Sequence, residues 1–176
     1  TVPKAKRDIE GVEEALTALV PGMDVFRAYT SSIIRKKLAG RGEPVFSVED
    51  ALEHLADQGY THVYLQPTHL LPGVEYAKIR RAVHRFPRRK EFEALVMGEP
   101  LLPDNSSLLE LAGVIARCYV PEEGALVLMG HGSDSFANLV YPALQTVLRL
   151  TGVERTYVGT VEGWPELDEV MEQLKT

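Results

Sequence analysis

At 176 residues, 45% of them hydrophobic and 25% charged, with a formal net charge of −6, the chain has the length for one α/β core or two small lobes. No apolar run approaches the ~20 residues that span a bilayer, and the acidic balance argues against a general nucleic-acid binder, which carries basic excess. The opening Thr1-Val2-Pro3-Lys4-Ala5-Lys6 does not lead into a signal-peptide core, so the default compartment is the cytoplasm.

In chain order, residues 4–20 read as a helix with Thr1 as N-cap and Pro3 in the first turn, stopped by Pro21-Gly22. Met23–Tyr29 is a β-branched and aromatic run that predicts a strand. Ser31–Leu38 predicts a short basic helix ended by Gly40 and Gly42. Ser47 and Asp50 have the spacing of a capping box, followed by Val48, Ala51, Leu52, Leu55 and Ala56 on one helical face. Gly59 closes that helix, and His62–Gln66 predicts the next strand. A loop framed by Pro67 and Pro72-Gly73 leads to a helix over 74–86 and a strand over Phe92–Met97. The loop Gly98–Ser106 follows, then a helix over 107–119, a strand over Gly124–Met129 and a helix over 136–150. A strand over Thr156–Val161 and a helix over 166–175 complete the series.

Alternating helices and near-continuous apolar strands predict an α/β fold with parallel sheet covered by helices on both faces. Pro121-Glu122-Glu123-Gly124 is the expected boundary between an N-terminal lobe, 1–120, and a C-terminal lobe, 121–176. The second of these offers only two strands, a poor sheet by itself. The expectation is therefore a chain incomplete at both ends or borrowing strands. Cys118 is the one cysteine, which excludes an intramolecular disulfide and a thiolate zinc site. Its apolar neighbours, Val114, Ile115, Ala116, Tyr119 and Val120, predict a buried small side chain. The basic clusters Arg35-Lys36-Lys37 and Arg80 to Lys90 read mainly as solvated helix faces.

Ligands of open parallel sheets gather beyond the carboxyl ends of the strands, and the unusual residues lie in those loops. Gly130-His131-Gly132-Ser133-Asp134 follows one strand, with glycines that allow a tight turn and leave the imidazole at the strand tip. A histidine there serves as base, metal ligand or anion donor, or merely caps the next helix. Glu162, in Glu162-Gly163-Trp164-Pro165, occupies the neighbouring strand tip, facing His131 or simply satisfying the dipole of the last helix. His69 and Glu75, in the loop from Pro67 to Tyr76, are candidates for the opposite wall. His54 and His84 lack such placement and read as structural. The chain has no HExxH, CxxC pair, P-loop, GxGxxG or G-x-S-x-G elbow. A His–Glu pair at adjoining strand tips suits a transient metal site with positions open for exchange.

Four ordered blocks carry a resemblance: Ala28–Leu38 (AYTSSIIRKKL), Gln66–Tyr76 (QPTHLLPGVEY), Val127–Ser133 (VLMGHGS) and Val158–Pro165 (VGTVEGWP). At these positions the sequence resembles the CbiK-type anaerobic cobaltochelatases, class II tetrapyrrole chelatases. The resemblance implies two flavodoxin-like lobes with a tetrapyrrole cleft between them. It implies insertion of Co²⁺ into sirohydrochlorin in anaerobic cobalamin biosynthesis, with His131 as principal metal ligand and proton acceptor. Glu162 is then its carboxylate partner in metal binding and catalysis, and Glu75 the acid on the facing lobe. Arg35, Lys36 and His69 become substrate-binding candidates. No cofactor is implied, cobalt being substrate. The expected partners are sirohydrochlorin and divalent cobalt, without nucleic acid or membrane, and a homo-oligomer is left open. The alternative is a non-catalytic tetrapyrrole or metal carrier using the same cleft. A hydrolase or phosphoryl-transfer enzyme lacks its motifs here. Members of the family usually begin one strand earlier and continue through further strands to a second metal-ligating histidine, and many have a histidine where this chain has Ser135. The expectation is thus a metal site one ligand short.

Overall fold

The computed structural model describes residues 3–119 and 122–175, and the chain forms two compact units, 1–55 and 56–176. The expected cap Thr1 lies outside the described residues.

In the first unit, α1 spans Pro3–Leu19, α2 Ser32–Ala39, and α3, Val48–Asp57, runs to its end. Ser31 caps α2, its Oγ accepting from Ile34 N (3.3 Å). The capping box at the start of α3 forms as the spacing predicts: Ser47 Oγ accepts from Asp50 N (3.0 Å), and Asp50 Oδ2 accepts from Ser47 N (3.1 Å). These reciprocal bonds hold Asp50 below its ordinary carboxylate pKa, helped by the Arg35 charge. The expected strand Met23–Tyr29 is not one. It makes a single parallel bridge, Ala28 with Phe46, through Tyr29 N and Phe46 O (2.9 Å). Strand-forming residues report a surface suited to packing as much as a ladder. Phe26 spends its ring on His54, edge-on at 5.7 Å between centroids, while Phe46 stacks on the same imidazole at 5.1 Å. His54 is therefore the packing residue the sequence suggests.

The second unit repeats a strand–helix–strand pattern. β1 (His62–Leu65), α4 (Val74–Arg85) and β2 (Ala94–Met97) are followed by α5 (Asn105–Cys118). Then come β3 (Leu126–Gly130), α6 (Val140–Leu150), β4 (Thr156–Thr160) and α7 (Leu167–Gln173). The fold is α/β, and all pairing is parallel. The described strands form two two-stranded sheets. β1 pairs β2 from His62–Ala94 to Leu65–Met97, and β3 pairs β4 from Leu126–Thr156 to Gly130–Thr160.

The expected helix over 136–150 is divided, with a 3₁₀ turn at Phe136–Leu139 ahead of α6. Pro142 explains the break, because its ring clashes with the carbonyl four residues back, at Asn138, and it has no N–H to give. α5 starts at Asp104, whose carboxylate accepts from Ser107 N (3.0 Å) while Ser107 Oγ accepts from Asp104 N (3.3 Å). Its buried face, Leu108, Ala112 and Ile115, packs with Leu102, with Tyr141, Leu144 and Leu148 of α6, and with Val153 and Val158. Each such leucine contributes roughly 1.5–3 kcal/mol through burial. Cys118 corrects the sequence reading, for it is exposed. Its apolar neighbourhood in sequence does not become one in space: Ile115 is the last buried residue of α5, and Val114 and Tyr119 are exposed as well.

One side chain finishes the second sheet. Gln145 of α6 donates through Nε2 to Thr156 O (2.8 Å) and accepts through Oε1 from Val158 N (2.8 Å). It thus imitates a neighbouring strand along the free edge of β4, and Thr160 N completes that edge by donating to Pro165 O (2.8 Å). Gln145→Leu keeps the volume and orphans two backbone groups, so urea unfolding should show a loss of about 1–3 kcal/mol. A loss under about 0.5 kcal/mol would show that the amide is dispensable to the edge. For Asp50 the sign follows from its lowered folded pKa. Its contribution is complete above the ordinary value of 3.8 and disappears as pH falls through the folded one. The stability difference between wild type and Asp50→Asn should therefore be constant from neutral pH to about 5 and shrink in more acid melts.

Candidate functional site

Past the ends of β3 and β4 the ladder continues. Val161 N–H donates to Gly130 O (3.1 Å), and Glu162 N–H donates to His131 O (2.8 Å). Those two bonds carry the chain one step beyond the sheet on each side and set residues 131 and 162 next to each other. The side chains meet, with His131 Nε2 3.4 Å from Glu162 Oε2 and relative exposures of 77% and 69%. So open a pair gains roughly 0–1 kcal/mol from its own attraction. The backbone, not the side-chain contact, must therefore hold these groups in place.

The glycines show how. Gly132 has φ +92°, and a Cβ there would stand 2.6 Å from Gly163 N and 2.7 Å from the Glu162 carbonyl carbon. Only glycine both adopts this backbone and admits the opposing peptide. A Cβ on Gly130 would enter the ring of Tyr141, 2.1 Å from Cε1, so the first glycine lets the strand tip lie on α6. Tyr141 OH also accepts from Gly132 N (3.4 Å). Asn138 Oδ1 accepts from Ser133 N (3.0 Å), and its Nδ2 donates to Trp164 O (2.6 Å). Ser133 Oγ and Ser135 Oγ share a hydrogen bond (2.8 Å) that folds the intervening turn around Asp134.

His131, Glu162, Gly132, Ser133, Asp134, Ser135 and Val74 border a hollow of about 360 Å³. It is open to solvent, and Val74 is its apolar lining residue. Among the described residues no cluster of three or more His, Cys, Asp or Glu has metal-holding geometry. The chemistry on offer is the imidazole of His131 and the carboxylates of Glu162 and Asp134, with the hydroxyls of Ser133 and Ser135 beside them.

The other sequence candidates lie on other elements. Glu75 is in the first turn of α4, beside Val74, and forms an ion pair with Lys78 of its own helix. His69 is half-buried, its Nδ1 has no hydrogen-bond partner among the described residues, and its carbonyl accepts from Leu101 N (2.9 Å). Arg35 and Lys36 belong to α2 in the first unit, where Arg35 Nη1 lies 3.8 Å from Asp50 Oδ2 and Lys36 is exposed. His84 is exposed on α4. Asn138 and Tyr141 escaped the sequence reading because they fell inside an apparently ordinary helix. The available signal was Pro142, which forbids a regular helix through 138.

The profile of the family described as Cobalt chelatase (CbiK) matches residues 1–176. The chain is 34% identical to "Sirohydrochlorin cobaltochelatase" of Salmonella typhimurium over 174 residues, 97% of this chain and 64% of that protein. It is 31% identical to "Sirohydrochlorin cobaltochelatase CbiKC" of Nitratidesulfovibrio vulgaris over 167 residues, 93% of this chain and 58% of that protein. The chain thus spans about three-fifths of the length of these curated relatives. Both strand-tip motifs, Gly130-His131-Gly132 and Glu162-Gly163, fall within the matched residues, and on this evidence the chain belongs to the cobalt chelatase (CbiK) family.

Proposed function

We propose that the protein inserts Co²⁺ into sirohydrochlorin on the route to cobalamin, using His131 and Glu162. The observation that supports this reading is the 3.4 Å approach of imidazole and carboxylate at adjoining strand tips beside an open hollow, in a chain of the chelatase family.

Insertion exchanges one cation for two pyrrole N–H protons, while the metal sheds water. His131 in its neutral form offers one lone pair, which either takes a pyrrole proton or binds the cation before delivery. Glu162 balances the cation's charge or accepts the second proton. Two exposed protein groups leave most of the metal's coordination positions to water and substrate, which suits release to a macrocycle better than permanent storage. Glu75, next to Val74 at the start of α4, is assigned to orienting the macrocycle. Arg35 and Lys36 are assigned to the carboxylates of the substrate, as charge-assisted donors, and His69 to further substrate contact. The reaction calls for no redox cofactor or nucleotide, and its proposed compartment is the cytoplasm. No described helix is long and apolar enough to cross a membrane. The proposed lobe boundary remains 121–124.

His131→Ala should lower the cobalt insertion rate at least about 100-fold, while the circular dichroism melt stays close to wild type. The measurement is the time course of the tetrapyrrole absorption change with Co²⁺ and sirohydrochlorin. Near-wild-type insertion would remove His131 from the reaction. A wild-type protein that binds sirohydrochlorin without time-dependent incorporation would favour a tetrapyrrole carrier over a chelatase.

A further inference from the structure

We propose that Asn138 is a positioning residue that sets the His131–Glu162 geometry, an inference that rests on reading that pair as the insertion site. The two functional groups come from different loops. Among the described residues, Asn138 alone uses its side chain to bond the backbone of both: Ser133, two residues past His131, and Trp164, two residues past Glu162. Its Oδ1 also sits where a Cβ of Gly163 would be, at 2.5 Å, so the amide lies directly over the second loop.

The amide is not there to cap a helix. α6 begins after Leu139 with no side-chain cap bond, and the 3₁₀ turn ahead of it has none either. An asparagine at such a start commonly satisfies its own helix; this one turns both functional atoms outward. The chemistry needs a donor and an acceptor at one fixed reach. Aspartate keeps only the acceptor, alanine has neither, and glutamine is one methylene too long for the contact with Gly163.

The exposed pair holds itself weakly, so slack in either loop translates into misplacement of Nε2 against Oε2. A misplacement near 1 Å costs about 100-fold in rate. Asn138→Ala should therefore lower kcat for cobalt insertion by about 10- to 100-fold and leave KM for sirohydrochlorin within about twofold, because Asn138 itself touches no substrate in this reading. Since the loss passes through the carboxylate, it should nearly vanish in the Glu162→Gln background, where adding Asn138→Ala costs under about twofold. A multiplicative loss in that background, or a rise in KM with kcat unchanged, would overturn the proposal. Asn138→Asp, which keeps the acceptor for Ser133 N–H, serves the same cycle if the alanine variant does not fold.

A second readout separates this inference from the proposed function. In the protein without substrate, the His131 ring NMR shifts should respond to Glu162→Gln in the wild type and cease to respond once Asn138 is alanine or aspartate. An equal response in both backgrounds would overturn the positioning role, even if no variant inserted cobalt.

Discussion

The backbone of Gly132 lies against the Glu162–Gly163 peptide so closely that no side chain fits between them, and the candidate site depends on that contact. Two ladder bonds bring the loops to it, Val161 N to Gly130 O and Glu162 N to His131 O. The positive φ of Gly132 then turns the chain away, leaving the imidazole and the carboxylate on the solvent side. Such exposed groups hold each other weakly. Their placement comes from rigid peptide groups beneath them, an arrangement compatible with the proposed admission and release of a cation.

Behind the loops, α6 and the 3₁₀ turn ahead of it supply most of the support. Tyr141 fills the space opposite Gly130, Asn138 bonds both loops, and Gln145 closes the outer edge of β4. Three polar side chains of one segment thus fix the strand, its tip and the loop beyond. The apolar face of the same helix, Leu144 and Leu148, anchors it to α5 in the core. Burial of ordinary aliphatic side chains is in this way converted into the placement of the exposed His131 and Glu162.

Much of this was legible in the sequence. Helical periodicity located α3, and the Ser47–Asp50 spacing foretold a capping box seen bond for bond. The strands of the second unit were readable as short apolar runs rich in β-branched and aromatic residues, although of the four only β4 is mostly buried. That His131 and Glu162 stand side by side was readable because each follows a strand of the same sheet. Met23–Tyr29 misled because its residue types suit ring packing as well as a ladder. Cys118 misled because neighbours along a helix are not neighbours across it. Glu75 and Arg35 show the remaining gap. The resemblance implied substrate roles for both; each also has a charged partner, Lys78 and Asp50, and those pairings depend on rotamers that residue spacing alone does not determine.

The central claim is that the glycine-backed peptide contact, rather than the exposed side chains themselves, creates the functional pair. The measurement that tests it most directly is the cobalt insertion rate of Gly132→Ala, which retains both His131 and Glu162. The added methyl group meets the Gly163 nitrogen and a strained φ, so the account predicts a loss of about 100-fold in a protein that still folds. Insertion within about twofold of wild type would contradict it.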